Sequence, residues 1–314
     1  MPSLSSVFFS EFHLSAIPKL SAFTSLTTCE LVLPLQAPVD LEPLSMLPSL
    51  HKLFLTEGEF TSDHLPLHLT NLTLQECELH TTQACACLTL LVKLRVISSV
   101  LTLVGPGDLS ACEELQLLDV NRGQIRMDSA DDWLNCSAES LNQFPTNWSA
   151  LTSLSVLYIV IAGITLDPEL DLRCFYCLTS LQRLRLYSDT TCLYVSSGLT
   201  DLQRLTSLTL SAKAYMDEDS EVYVRLDVEW QRMQRLQNLN IYRHDIFCND
   251  SILGLTQLQQ LQHVHFKKCK PYADDFSFRC LSILMYRLAR YCSHVTVIID
   301  EESAKVEDET NGVA

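Results

Sequence analysis

Three groups of residues in this sequence have the types and spacing of chemical sites. His263 and His265 lie two apart, so on an extended chain both imidazoles face the same way. Cys174 and Cys177, in RCFYC, have the C-x-x-C spacing of a redox pair or half a zinc site. The runs DSADD and MDEDSE gather carboxylates. The surroundings weaken the second and third groups. No second C-x-x-C is present, and no thioredoxin-like strand and helix surround the first, so buried cysteines in a connecting segment are the simpler reading. Cys85 and Cys87 read the same way. Charge runs without apolar shielding are solvated. No glycine-rich phosphate loop, G-x-S-x-G or H-E-x-x-H occurs. The chain therefore reads as a non-enzyme with no cofactor.

Composition narrows the class. With 314 residues, 47% of them hydrophobic, the chain can bury a sizeable core. Leucine fills 57 positions, while glycine, at 8, is scarce enough to exclude collagen-like or glycine-rich structure. The formal charge of −16 argues against nucleic-acid binding, which needs clustered Lys and Arg. No apolar run is long enough for a membrane span. The start, MPSLSSVFFSEFHL, lacks the basic region of a signal peptide, which points to a cytoplasmic or nuclear protein. The 13 cysteines are odd in number and scattered, so they are expected to be reduced and mostly buried.

The elements that must position these residues show in LTSLQRLRLYS, residues 178 to 188. Its leucines come at a spacing of three, then of two, as in a turn followed by a strand. The same L-x-x-L-x-L core recurs twelve times. It begins at Leu4, Leu26, Leu50, Leu69, Leu91, Leu115, Leu154, Leu181, Leu205, Leu236, Leu261 and, as CSHVTV, Cys292. Eight of the eleven intervals fall between 19 and 27 residues. This pattern resembles the leucine-rich repeat family, whose consensus continues x-x-N/C-x-L. The resemblance implies an α/β solenoid: a curved horseshoe of about twelve irregular repeats over residues 1–299, with a parallel concave sheet and helical or irregular return segments.

The family's Asn/Cys position is matched by Cys77 and Cys269 but held elsewhere by Gly58, Ser99, Gly123, Ala162, Asp189, Lys213 and His244. No asparagine ladder is expected, and the two cysteines resemble the cysteine-containing subclass. Polar insertions are expected at about 121–150 and 212–230. Phe276, Phe278, Leu281, Leu284, Met285, Leu288 and Tyr291 predict an amphipathic, core-facing helix before the last strand. Residues 300–314 read as a disordered acidic tail. Because the repeats begin without a polar cap, the sequence is expected to be a fragment, or to pack its first units on another chain.

In the repeat, positions 1, 4 and 6 face inward, and positions 3, 5 and 7 form the concave face. Six basic residues fall there (Lys52, Lys93, Arg95, Arg183, Arg185, Lys267) against Glu30 and Asp119, a net +4 on an acidic chain. Arg95, Tyr158, Arg183, Arg185, Tyr187, Asn240, Tyr242, His263, His265 and Lys267 are the expected contacts for a protein partner with an acidic or mixed surface, since Tyr and Arg anchor interfaces. Under CSHVTV, His294 would stand beside His263, and with His265 three imidazoles could hold zinc. Surface histidines without metal are the plainer reading. The expected function is a non-catalytic recognition module, an adaptor or the substrate-receptor part of a larger protein. The alternative is an exported or cell-surface recognition protein, favoured by sequons at Asn71, Asn135, Asn147 and Asn249.

Overall fold

A computed structural model describes residues 5–10, 23–32, 38–62, 65–81, 88–103, 112–121, 124–127, 133–134, 151–161, 169–171, 177–188, 192–195, 197–212, 223–242, 245–248, 250–267, 270–271, 275–292 and 295–300. Twelve parallel strands lie side by side in chain order, one per repeat. They are Ser6–Ser10, Thr28–Val32, Lys52–Ser62, Asn71–Thr81, Lys93–Ile97 and Leu117–Asn121, then Val156–Ile161, Arg183–Ser188, Ser207–Ala212, Asn238–Tyr242, His263–Lys267 and Thr296–Asp300. The chain folds as a leucine-rich repeat solenoid.

The change of leucine spacing is a turn running into a strand. In unit 8, Leu181 N–H donates to the Leu178 carbonyl at 3.0 Å, and Leu184 and Leu186 then alternate inward. All four leucines are at most 1% exposed. The same turn recurs as Leu50 to Leu47, Leu91 to Leu88 and Leu205 to Leu202. Each inward leucine stacks on its counterpart in the next unit, and burial of one such side chain contributes about 1.5–3 kcal/mol.

Units are stitched together at position 2. Its carbonyl accepts two successive N–H groups of the following unit: Thr27 takes those of His51 and Lys52, and Gln182 takes those of Thr206 and Ser207. This double acceptance runs from Ser5 to Gln237, and in the last unit Thr296 N–H donates to Gln262. Where position 2 is Thr or Ser, its hydroxyl adds a third donor to the preceding carbonyl, as from Thr27 to Ser5 and from Thr206 to Gln182.

The return segments are more extended than the resemblance implied. A second row of parallel strands follows the first. It comprises Val39–Asp40, the distal halves of the two eleven-residue strands, Val100–Leu103 and Gln124–Met127, with Trp133–Leu134 pairing antiparallel on the last. A separate sheet then runs through Glu169–Asp171, Cys192–Val195, Tyr223–Leu226, Asp245–Cys248 and Lys270–Pro271. So parts of the stretches read as insertions, 124–127 and 223–226, are strands in register with their neighbours. The predicted helix spans Asp275–Tyr291 and buries Cys280, Leu284 and Leu288 at helical spacing.

Between the two rows the chain bends at Glu57, Glu76 and Ser98, which have φ of 53°, 53° and 48°. The next residue is the consensus Asn/Cys position. Cys77 Sγ donates to the Leu55 carbonyl at 3.4 Å, and Cys77 N–H donates to Ser99 Oγ, which in turn donates to Ile97. A short ladder therefore links units 3 to 5, made by Cys and Ser. Cys269 lies outside the described residues.

Burial first, and the charge of Glu30 second, push the Cys29 thiol up to about 12. Burial likewise raises Cys77 to about 11, although hydrogen bonds to Ser99 and Gln75 oppose it.

Two outcomes follow from this packing. Ser99→Ala removes the acceptor of a buried N–H and is expected to lower unfolding free energy by about 1–3 kcal/mol in urea titrations. The Cys29 and Cys77 thiols are protonated in the folded chain, whereas unfolded thiols ionise near about 8.5. Their contribution is complete below that pH and is lost as pH rises toward the folded values. The urea midpoint should thus fall between pH 8 and pH 10, and fall less in Cys29→Ala.

Candidate protein-binding face

Strand register fixes which side chains become neighbours on the outward face. Position 5 reads, from unit 5 to unit 11, Arg95, Asp119, Tyr158, Arg185, Thr209, Asn240, His265. Position 3 reads Lys93, Leu117, Val156, Arg183, Ser207, Asn238, His263. Position 7 places Tyr187 beside Ser211, then Tyr242 and Lys267. Nine of the ten expected contact residues thus lie on units 7 to 11, broken by the small residues of unit 9. Arg95 stands apart on unit 5.

Asp119 connects Arg95 to the rest. Its carboxylate lies 3.8 Å from Arg95 Nε. Arg185 places its guanidinium 4.7 Å from the Tyr158 ring centre, a cation–π geometry. Burial raises the Asp119 carboxyl above its ordinary value, while Arg95 and then Arg185 pull it down. The run from Arg95 to Arg185 is therefore an ordered strip of alternating charge and ring. Tyr158 is half-buried and Arg185 exposed.

Further along, Thr209 and Ser211 are only 4% and 8% exposed although they sit on the outward rows. Asn240 Nδ2 donates to Thr209 Oγ1 at 3.4 Å. Tyr242 meets the His265 ring edge-on, at 5.4 Å between centres and 79° between planes. Unit 9 thus gives the face a buried polar step.

One expectation is corrected. The last strand pairs Thr296 with His263 and Asp300 with Lys267, so its repeat reads HVTVII from His294, two residues later than CSHVTV. Thr296, not His294, stands opposite His263, which removes the three-imidazole juxtaposition. His294 itself lies outside the described residues, as do Cys85, Cys87 and Cys174. Among the described residues no cluster of three or more His, Cys, Asp or Glu could hold a metal. The shifted register pairs the backbone of Asp300 with that of Lys267, and among the face positions whose side chains are described, five basic residues (Lys52, Lys93, Arg95, Arg183, Arg185) stand against Glu30 and Asp119, a net +3.

Sequence reading missed Leu117 and Val156 as face residues. They are half-buried at position 3, where other units carry polar or charged side chains. Leucine at position 3 of LQLLDV was hidden by its inward neighbours Leu115 and Leu118. Aligning that unit with its neighbours by register was the signal that could have found it.

No protein-family profile matches the chain, and no curated protein matches it in sequence. Solved structures do. A leucine-rich repeat protein of Leptospira interrogans is similar at 15% identity and a TM-score of 0.45, over 90% of this chain and 74% of that one. The internalin inlF of Listeria monocytogenes is similar at 17% identity and a TM-score of 0.42, over 90% and 82%. Internalin inlC2 of the same organism is similar at 18% identity and a TM-score of 0.38, over 91% of each chain. The repeat register and the parallel sheet establish the fold of this chain by themselves.

The Asp119 strip makes a direct prediction. Replacing Arg95 and Arg185 by Gln removes both cations that favour the carboxylate. The Asp119 titration, followed by carboxyl NMR, should move to higher pH in each variant and furthest in the double variant.

Proposed function

We propose that this leucine-rich repeat solenoid is a non-catalytic recognition module that holds a protein partner with an acidic or mixed surface on its concave face. In a cell it would act as an adaptor or as the substrate-receptor part of a larger protein, in the cytoplasm or nucleus. The observation that carries this reading is the segregation of charge: a face with net +3 on a chain of net −16. Such a face steers acidic surfaces toward itself while the rest of the chain repels them. The contacts on units 7 to 11, with Tyr158, Arg183, Arg185, Tyr187, Asn240, Tyr242, His263, His265 and Lys267, combine rings, guanidinia and amides that bury area and still offer hydrogen bonds.

No helix among the described residues is long and apolar enough to cross a membrane. The sequons favour a second reading, an exported recognition protein. Of their asparagines, Asn71 sits half-buried in a face strand between Lys52 and Lys93, where a glycan would cover the face itself.

A pull-down from native extract, with identification of captured proteins by mass spectrometry, tests the reading. It compares the wild-type chain with one carrying Arg185→Glu, Tyr187→Ala and His265→Ala. A partner held by wild type is expected to fall at least tenfold on the variant, at unchanged thermal stability. Equal capture by both chains would sink the concave-face reading. A drop in mass of the purified native chain on glycosidase treatment would select the exported alternative.

A further inference from the structure

Position 3 of units 5 to 8 forms one row across four adjacent strands: Lys93, Leu117, Val156, Arg183. Two exposed cations bracket two half-buried apolar side chains. No carboxylate among the described residues lies within ion-pair distance of Lys93 or Arg183. The cations differ in this from Arg95, which is paired with Asp119, and from Arg232, which is paired with Glu229 and Asp201. Among the described residues these two bases carry no ion pair, and they stand on either side of an apolar step.

The adjacent position 5 row supports this one. Arg185 lies over Tyr158, beside Val156, and widens the apolar step with a ring. Asp119, next to Leu117 in the strand, is held by Arg95 and is only 18% exposed at its side chain. A carboxylate there repels an acid placed at the centre of the row and tolerates one at either end, where a cation waits. Charge therefore selects at three points: acid, apolar, acid.

Geometry sets the spacing. Three strand intervals of about 4.8 Å separate Lys93 from Arg183 by about 14 Å. An extended peptide advances about 3.3–3.6 Å per residue, so its acids must stand about four residues apart. Resting on the proposed concave-face function, we propose that this row reads a short extended segment of the partner, laid across the strands, in which two acidic residues four positions apart flank an apolar one.

The probe is a displayed library of random twelve-residue peptides selected on the folded full chain. Enrichment of acid-x-apolar-x-acid sequences is the expected result; enrichment of any other pattern, or none, overturns the inference. The best peptide is then synthesised with a fluorophore and titrated by anisotropy. Lys93→Glu, Arg183→Glu and Leu117→Ser are each expected to weaken it at least tenfold, and Tyr286→Ala, at an exposed position of the helix Asp275–Tyr291, less than twofold, in variants whose melting temperature matches wild type. Should Tyr242→Ala abolish binding while Arg183→Glu spares it, the inference falls and the concave-face function stands. If neither changes binding, both fall.

Discussion

A single repeat of this protein has no interior. Its inward leucines, such as Leu181, Leu184 and Leu186, belong to one core that continues through the units on either side, so none of the repeats can be stable alone. The parallel register is what delivers that cover: it places position 4 over position 4 and position 6 over position 6 along the chain. A slip of one residue would turn every leucine outward. The long apolar column therefore enforces register, and register in turn decides which outward residues meet. The charge strip from Arg95 to Arg185 exists because the leucines beneath it are aligned.

Core and face are thus separated by side-chain alternation alone. That lets positions 3, 5 and 7 vary without disturbing the leucine column beneath, and they do vary, from the hydroxyls of unit 9 to the rings of units 8 and 10. A surface of this kind supplies recognition chemistry in rows, one residue per strand. Such rows suit a partner that crosses several strands better than one that inserts a single side chain.

Much of this was legible in the sequence because leucine spacing reports burial directly. All twelve strands and the helix at Asp275–Tyr291 follow from it. The last unit slipped by two because CSHVTV offers Cys292, Val295 and Val297 at the consensus spacing, while HVTVII begins on a histidine; pairing with the previous strand, which no single motif contains, decides between them. The second row of strands was not legible either. Residues such as Asp245–Cys248 are short and follow no repeat spacing, and they are strands because their neighbours in adjacent units are. The Cys77 and Ser99 ladder was half visible: the cysteine matched a consensus, but serine serving in its place depends on where the hydroxyl points. On the face, alternation along each strand was enough to assign residues to rows, whereas the bridging part of Asp119 needed distances.

The double acceptance at position 2 gives the molecule an electrical direction. In an ordinary strand successive amides point opposite ways and their dipoles cancel. Here two successive N–H groups aim at the same preceding carbonyl, unit after unit, from Thr27 and Thr28 to Gln262 and His263. The cancellation fails along that edge, and a column of aligned peptide dipoles, each about 3.5 D, runs the length of the solenoid. Its positive end lies at the first unit and its negative end at the last, so the scaffold itself, before any charged side chain is counted, distinguishes its two ends to an approaching ion.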